Sequence, residues 1–365
     1  MCQRVIVSDE SHEGAVHMQI STIGIDIAKN VFQVHGVDAA GKPVLKKQLR
    51  RSQVLEFFGK LPPCLIGMEA CATSHQWARE LKKLGHDVRL MPPSYVKAYV
   101  KRSKNDAADA AAICEAVTRP SMRFVPIKSP AQQSALMLHR TRDLLMRQRT
   151  QLINAMRAHL AELGLVAQTG HEGLQQLIRA VAEAADERLP SDARFACQGI
   201  VVQLHAVQMQ IAGLDKRIHQ VHRANPASKR LEAIPGFGVI VSTAVVATMT
   251  DPKAFKTGRE FAAWIGLVPR QNSTGGKERL GSISKQGDRY LRRLLVLGAL
   301  AVVRSARARP DKYPWVIAML ARRPAKVVAV ALANKMARIA WAILAKGEAY
   351  RAPVHSSSAA IAASA

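Results

Sequence analysis

The chain has 365 residues, with 53 lysines and arginines against 27 aspartates and glutamates, which gives a formal net charge of +26. A charge of this sign attracts polyanions, so nucleic acid is the leading partner and an anionic membrane surface a distant second. Five cysteines without a C-x-x-C motif predict neither a disulfide framework nor a zinc site and fit a reducing cytosol.

Residues 1–17 are polar and lack the apolar core of a signal peptide, so we expect a disordered leader, with Met18 as a possible second start. The longest apolar run, residues 294–303, is too short to span a bilayer. Together these features predict a cytoplasmic protein without a membrane partner.

Residues 18–128 have the alternating pattern of an α/β domain. This pattern predicts five strands, and two helices near 74–84 and 94–118, with Gly85 as the C-cap of the first. The predicted strands are residues 21–27, 31–37, 43–49, 64–68 and 87–91.

The remaining chain is predicted to be mostly helical. In residues 129–227, apolar residues recur at helical spacing with basic residues between them, which fits either a coiled-coil arm or a helical bundle with a solvated basic face. Residues 228–347 form a further helical domain. The tail, residues 348–365, is rich in Ser and Ala and is predicted to be disordered.

Four acids stand at positions suited to chemistry. Asp26 lies in the apolar run Thr-Ile-Gly-Ile-Asp-Ile, Glu69 ends a second run, and Asp106 and Asp109 are three residues apart on a predicted helix. Taken singly, each has an ordinary explanation as a turn cap or part of a solvated helix face. Together they follow the order of acids in an RNase H-like nuclease, where carboxylates converge on Mg²⁺. Sugar kinases and actin-like ATPases also open with a strand and an Asp, but they need glycine-rich phosphate loops that the early chain lacks.

The segment Ile-Pro-Gly-Phe-Gly at 234–238 resembles the turn of a helix-hairpin-helix module. In such a turn Gly236 and Gly238 would let backbone N–H groups approach a phosphate. The alternative is an ordinary tight connection between two helices.

A second glycine-rich segment holds two hydroxyls, Ser273 and Thr274, between the cations Arg270 and Lys277. These cations would neutralise a phosphate under attack by a hydroxyl; the alternative is a turn in which Ser and Thr act as local caps. Residues 270–326 carry fourteen basic residues against three acids. This bias indicates a surface that binds a nucleic-acid backbone, with candidates at Lys285, Arg292 and Arg293.

The motifs, in order, resemble those of the DEDD-type insertion-sequence transposases over roughly residues 20–347. They are Gly-Ile-Asp-Ile-Ala-Lys, Gly-Met-Glu-Ala, Lys-Asn-Asp-Ala-Ala-Asp-Ala, Ile-Pro-Gly-Phe-Gly, Gly-Leu-Val-Pro-Arg before Ser-Thr-Gly-Gly, Ser-Lys-Gln-Gly-Asp and Leu-Arg-Arg. The resemblance implies a RuvC-like N-terminal domain, a coiled-coil connector and a smaller, mostly helical transposase domain. It also implies Mg²⁺ at the four acids and a C-terminal serine that links covalently to DNA.

The RNA-guided members of this family, the bridge recombinases, use a structured RNA that pairs with DNA. The resemblance therefore implies double-stranded DNA, a guide RNA and further copies of the chain, as a dimer or a tetramer, as partners. The family pattern has Ser directly before Gly, where this chain has Thr274, with Ser273 one place earlier. Register favours Thr274, whereas chemistry and family usage favour Ser273, which we take as the nucleophile.

The sequence thus predicts a Mg²⁺-dependent transposase that cuts and rejoins DNA. One alternative is a RuvC-like Holliday-junction nuclease, which hydrolyses with metal alone and forms no covalent intermediate. Another is an inactive nucleic-acid-binding remnant, which retention of all four acids disfavours.

Overall fold

The computed structural model of the chain describes residues 20–100, 105–184 and 186–352. The predicted leader, and the tail beyond residue 352, lie outside the described residues. The chain divides into two compact units, residues 1–129 and residues 130–365. The finer division at residues 227 and 228 stays a prediction.

The N-terminal unit is built on a five-stranded mixed sheet in the order β3-β2-β1-β4-β5. Strands β1, β2 and β3 form an antiparallel meander, whereas β1, β4 and β5 run parallel. All five strands were predicted, with ends that agree within one residue. They are β1 Thr22–Ile27, β2 Val31–Val37, β3 Pro43–Arg50, β4 Leu65–Glu69 and β5 Asp87–Met91.

Four helices belong to the described part of this unit. Of the two longer ones, the sequence predicted the helix at Ser74–Lys83 to within one residue and covered the helix at Asp106–Val117 with too long a range. Alternating apolar residues of the strands are buried in the core of the unit, with Ile23, Ile25 and Ile66 at 0–1% exposure. The short helix α1 was not predicted. The helices are α1 Val54–Gly59, α2 Ser74–Lys83, α3 Pro93–Val96 and α4 Asp106–Val117.

The single helix predicted over residues 94–118 is wrong. Helix α3 ends at Val96, a short 3₁₀ turn follows, and Val100 is extended. Helix α4 then begins afresh after Asn105, which is also extended and accepts a hydrogen bond from the Ala108 N–H at 2.7 Å. Asn is a strong N-cap because its side chain satisfies a free N–H of the first turn, so it starts a new helix here.

The second unit is almost entirely helical, as predicted. Its one small sheet is the antiparallel pair β6 Pro269–Gln271 and β7 Leu280–Ile283. Its helices are α5 Pro130–Glu162, α6 His171–Ala182, α7 Ser191–Ala224, α8 Pro226–Glu232, α9 Val239–Thr248, α10 Gly258–Ile265, α11 Arg289–Ala308, α12 Pro314–Leu320 and α13 Ala325–Lys346.

The two longest helices, α5 and α7, pack along each other in antiparallel fashion. Arg142 near the start of α5 forms an ion pair with Asp215 near the end of α7. At the other end of the pair, Met156 of α5 shares a buried cluster with Cys197 and Leu204 of α7. The two long helices and α6 thus share one buried cluster. The assignment of this region as a coiled-coil connector stays a prediction.

Helices α8 to α13 enclose the largest apolar core of the described residues. By length and composition, α13 is the one described helix that passes as a candidate membrane span. Its Val328, Ala333, Met336 and Ala340 are 0–2% exposed within this core. The apolar character of α13 is therefore explained by packing inside the unit.

Candidate functional site

Two of the four predicted acids stand at the carboxyl ends of neighbouring parallel strands. In the β1–β4 register, Ile25 pairs with Met68, and Asp26 and Glu69 are the next residues on their strands. Since parallel strands end at the same edge of a sheet, Asp26 and Glu69 lie on neighbouring strands at that edge.

Two glycines let α4 lie directly against this part of the sheet. Gly24 pairs with Gly67, and each stands two residues before an acid, so glycine and acid share one face of the sheet. A Cβ atom on Gly24 would overlap the Ala110 carbonyl oxygen of α4, and one on Gly67 would come within 2.7 Å of the Val117 Cβ. The helix therefore rests on bare backbone at both strands.

Asp106 and Asp109 occupy the first turn of α4, and residues three apart share a helix face. The Asn105 side chain caps this turn, and the Asp109 N–H donates to the Asn105 carbonyl oxygen at 3.0 Å. The positive end of the helix dipole stabilises carboxylates at this position. The cap thus fixes where both acids lie relative to the sheet.

Asp26, Asp106 and Asp109 come together: one carboxylate oxygen from each lies within 4.8 Å of the others. Glu69 is not part of this group of three, and its assignment as a fourth ligand stays a prediction. Glu69 and Asp26 nevertheless act on the same neighbour, Cys71. Shielding of the Cys71 thiol from water raises its pKa, and the negative charges of Glu69 and Asp26 raise that pKa further.

The donor set fits Mg²⁺. Three carboxylates within a few ångströms of one another repel unless a cation lies between them, and hard divalent ions prefer oxygen ligands. Asp26 and Asp109 are half-buried and Asp106 is exposed, so the group is open to solvent and to a substrate. These residues therefore have the donor chemistry to hold a divalent cation at an accessible edge of the sheet.

Sequence reasoning identified the acids but missed the glycine pair that positions them. A signal was present, because Gly-Ile-Asp and Gly-Met-Glu place glycine at the same distance before both strand acids. Glycine inside a strand often marks a close backbone approach.

In the second unit, the Ser-Thr-Gly-Gly segment is the tip of a β-hairpin. Thr274 and Lys277 exchange backbone hydrogen bonds of 3.3 and 3.1 Å across Gly275 and Gly276, whose φ angles are +55° and +76°. Positive φ at both central residues is the geometry of a tight hairpin turn that favours glycine. Ser273 and Thr274 are exposed, as are Arg270 and Lys277. The hairpin thus presents two hydroxyls and two cations to solvent.

The predicted helix-hairpin-helix turn joins α8 and α9. Gly236 has a φ of +86° and packs against the second unit's core, where an added Cβ would lie 2.7 Å from the Gly298 carbonyl oxygen. Gly238 caps the start of α9 and faces open space. Gly236 therefore has a packing role, and of the two only Gly238 leaves room for a ligand near its Cα.

The predicted phosphate-binding cations of this unit differ in their contacts. Arg292 donates two hydrogen bonds of 2.6 Å, to the carbonyl oxygens of Ile265 and Gln286. These bonds link the end of α10 to the loop between β7 and α11. Arg293 pairs with Asp143 and lies over the Tyr290 ring. Lys285 is exposed on strained backbone, with a φ of +57°. Their roles toward nucleic acid stay predictions.

A mixed sheet whose acids converge from one strand and one helix is consistent with an RNase H-like DEDD transposase. The sequence profile of a DEDD transposase family matches residues 23–164, and that of the transposase IS116/IS110/IS902 family matches residues 228–314. The chain belongs to this IS110/IS116 family of DNA transposases, as the resemblance predicted.

Relatives support the same assignment along nearly the whole chain. A probable family 20 transposase of Pseudomonas aeruginosa is 50% identical over 336 residues, which cover 92% of this chain and 99% of the relative. A putative transposase of Sinorhizobium fredii is 46% identical over 96% of this chain and 91% of its own length. The transposase of insertion sequence element IS1328 from Yersinia enterocolitica is 38% identical over 91% of this chain and 98% of its own length.

Proposed function

We propose that this transposase cuts and rejoins DNA strands, with Mg²⁺ held by Asp26, Glu69, Asp106 and Asp109 and a hydroxyl of the 273–274 hairpin tip as nucleophile. The cluster of three carboxylates from Asp26, Asp106 and Asp109 carries the proposal, since it has the donor chemistry for a divalent cation. When bound, Mg²⁺ supplies positive charge that polarises a phosphodiester and stabilises the leaving oxygen.

Within this reaction the acids of the chain would hold the cation that binds the scissile phosphate. The cap at Asn105 and the glycine pair at the sheet hold Asp106 and Asp109 against Asp26 before DNA arrives. Such preorganisation lowers the reorganisation needed at the moment of reaction.

The nucleophile is Ser273, with Thr274 as the alternative. Its Oγ forms a bond to phosphorus while the bond from phosphorus to a deoxyribose oxygen breaks, and the hydroxyl proton is released as the leaving oxygen gains one. A second strand end reverses the step and frees the serine. Because a serine hydroxyl is a weak nucleophile, the charges of Arg270 and Lys277 contribute by neutralising the phosphate.

The partners follow from charge and family. Double-stranded DNA binds through phosphates along the basic second unit, with contributions from Gly238, Lys285, Arg292 and Arg293. A structured RNA encoded by the element guides the choice of DNA, and the active form is a dimer or a tetramer. The protein acts in the bacterial cytoplasm, associated with the nucleoid.

A covalent protein–DNA adduct separates this proposal from a RuvC-like nuclease, which hydrolyses DNA without one, and from an inactive remnant. Adducts that survive denaturant are measured for wild type, Ser273→Ala and Thr274→Ala, with Ser282→Ala on the same hairpin as control. We expect loss of the adduct in Ser273→Ala alone. Loss only in Thr274→Ala would move the nucleophile by one residue. An adduct that persists in both variants, or cleavage without any adduct, would overturn the hydroxyl mechanism.

A further inference from the structure

Helix α7 carries two apolar seams on opposite sides. Cys197, Leu204, Ile211 and Ile218 repeat every seven residues, and all are 0–6% exposed where α7 packs in the bundle. A second set with the same repeat is offset from the first by two residues, about 200° around the helix. Its members Phe195, Val202 and Met209 are 80%, 68% and 71% exposed.

The exposed seam lies in an uncharged stretch. Residues 195–214 contain no Asp, Glu, Lys or Arg, although charged residues make up 22% of the chain. Nucleic acid is bound mainly through lysines and arginines that reach phosphates, so this side of α7 is poorly suited to it. Single exposed apolar residues are ordinary, but three in register along one helix face mark a contact surface.

Small residues alternate with the large ones along the same seam. Gly199, Ala206 and Gly213 each follow a large member by four residues, which completes the four-three spacing of a coiled-coil seam. A Cβ atom on Gly199 or Gly213 would meet no heavy atom within 4 Å. Each small residue therefore leaves an open hole beside an exposed large side chain.

The seam is complementary to itself under one symmetry. A twofold axis at the level of Leu204 places a second copy of α7 antiparallel to the first, with large residues opposite small ones. Asp192 and Lys216, both exposed at the ends of the seam, then face each other as opposite charges. The facing pairs, one residue from each copy, are Asp192 with Lys216, Phe195 with Gly213, Gly199 with Met209, and Val202 with Ala206.

A parallel pairing lacks this match, because it would set Phe195 against Phe195 and Asp192 against Asp192. Isologous contacts of a twofold dimer require such self-complementarity. Unlike charges that meet across the two ends also fix the register of the pair.

We infer that the exposed seam of α7 binds a second copy of this chain as an antiparallel helix pair centred on Leu204. This pairing supplies an interface for the dimer or tetramer proposed above, but the observations behind it come from α7 alone. Its failure would leave the metal site and the hydroxyl chemistry untouched, because those are measured by cleavage and adduct formation.

Self-association of the full chain without nucleic acid tests the inference. Mass is measured by light scattering over a range of concentrations in about 0.5 M salt, where bridging through charge is screened. We expect dimer formation by wild type and a dissociation constant raised roughly a hundredfold in Phe195→Lys/Met209→Lys. Val166→Lys is the control, since Val166 is 75% exposed in the same unit and lies outside the seam. A monomeric wild type, or a double variant that associates like wild type, would overturn the inference.

Disulfide capture tests the direction of the pair. Val202→Cys and Ala206→Cys are prepared as separate proteins with Cys2→Ser and Cys71→Ser, then oxidised alone and as a mixture. The antiparallel register brings position 202 of one copy to position 206 of the other, so the mixture links in preference to either protein alone. Efficient linking of each protein to itself, with no gain in the mixture, would indicate parallel pairing and contradict the proposed register.

Discussion

Gly24 of β1 lies directly beneath Cys114 of α4: a Cβ atom at position 24 would come within 2.8 Å of the Cys114 Cα. Asp26 follows Gly24 on the same face of the sheet, and Asp106 and Asp109 begin the helix that Gly24 supports. The separation of strand and helix at this contact therefore sets how closely the three carboxylates approach one another.

We expect Gly24→Ala to displace α4 and so to move the carboxylates of Asp106 and Asp109 away from that of Asp26. Overpacking of a tight core contact destabilises a protein by roughly 1–3 kcal/mol, and the backbone of Ala110 and Cys114 has no flexible side chain to yield. The midpoint temperature of thermal unfolding and the rate of divalent-dependent DNA cleavage should both fall. Gly59→Ala is the matched control in the same unit, because a Cβ there meets nothing within 4 Å. Equal behaviour of the two variants would show that Gly24 does not position the helix.

Arg292→Ala should lower the free energy of unfolding whether or not DNA is present. Its guanidinium satisfies the carbonyl oxygens of Ile265 and Gln286, and hydrogen bonds to charged groups contribute about 1.5–3 kcal/mol each. Arg289→Ala, an exposed neighbour on α11, is the control. Urea denaturation compares the two. If Arg292→Ala unfolds like wild type but has a smaller salt dependence of DNA binding, Arg292 acts on phosphates rather than on the fold.

His139 should make the second unit less stable in acid. Its ring is buried and shares a 3.1 Å hydrogen bond with the Tyr290 hydroxyl. Burial, together with the smaller effect of the positive charge of Arg142, lowers the pKa of His139 to about 4. The unfolded chain, with a histidine pKa near 6.5, then binds a proton that the folded protein excludes. Stability is thus fully present above about pH 6.5 and declines by roughly 3 kcal/mol as the pH falls to about 4.

The measurement is the free energy of unfolding at several pH values between 7 and 4, for wild type and His139→Gln. Carboxylates titrate in both proteins, so the difference between the two isolates His139. His159→Gln, at an exposed position on the same helix, should retain the wild-type pH dependence. Parallel curves for wild type and His139→Gln would contradict a lowered pKa.

The sheet could be predicted because its inner strands β1 and β4 are apolar runs and turn residues separate the others, such as Gly41 before β3. The break within residues 94–118 could not be predicted from the sequence. Residues that favour a helix lie on both sides of Asn105, and only the cap geometry of Asn105 shows that a second helix starts there. Helix α1 is six residues long, too short for a periodic signal.

The site shows the same division. The acids were recognisable by type and order, whereas their convergence depends on Gly24 and Gly67, whose role follows from packing across the chain. Arg292 looked like other cations of the basic segment. Its two carbonyl partners are 6 and 27 residues away, and composition carries no information on such contacts.

The most direct test of the account is to locate the divalent cation itself. Fe²⁺ in place of Mg²⁺, with ascorbate and peroxide, generates radicals that cut the polypeptide near the bound ion. We expect cuts close to residues 26, 69 and 106–109 in wild type and loss of these cuts in Asp106→Asn and Asp109→Asn. The cuts should remain in Glu115→Gln, which alters an exposed ion pair on the same helix. Cuts elsewhere, or an unchanged pattern in the Asp106→Asn and Asp109→Asn proteins, would contradict the assignment of the catalytic metal to these acids.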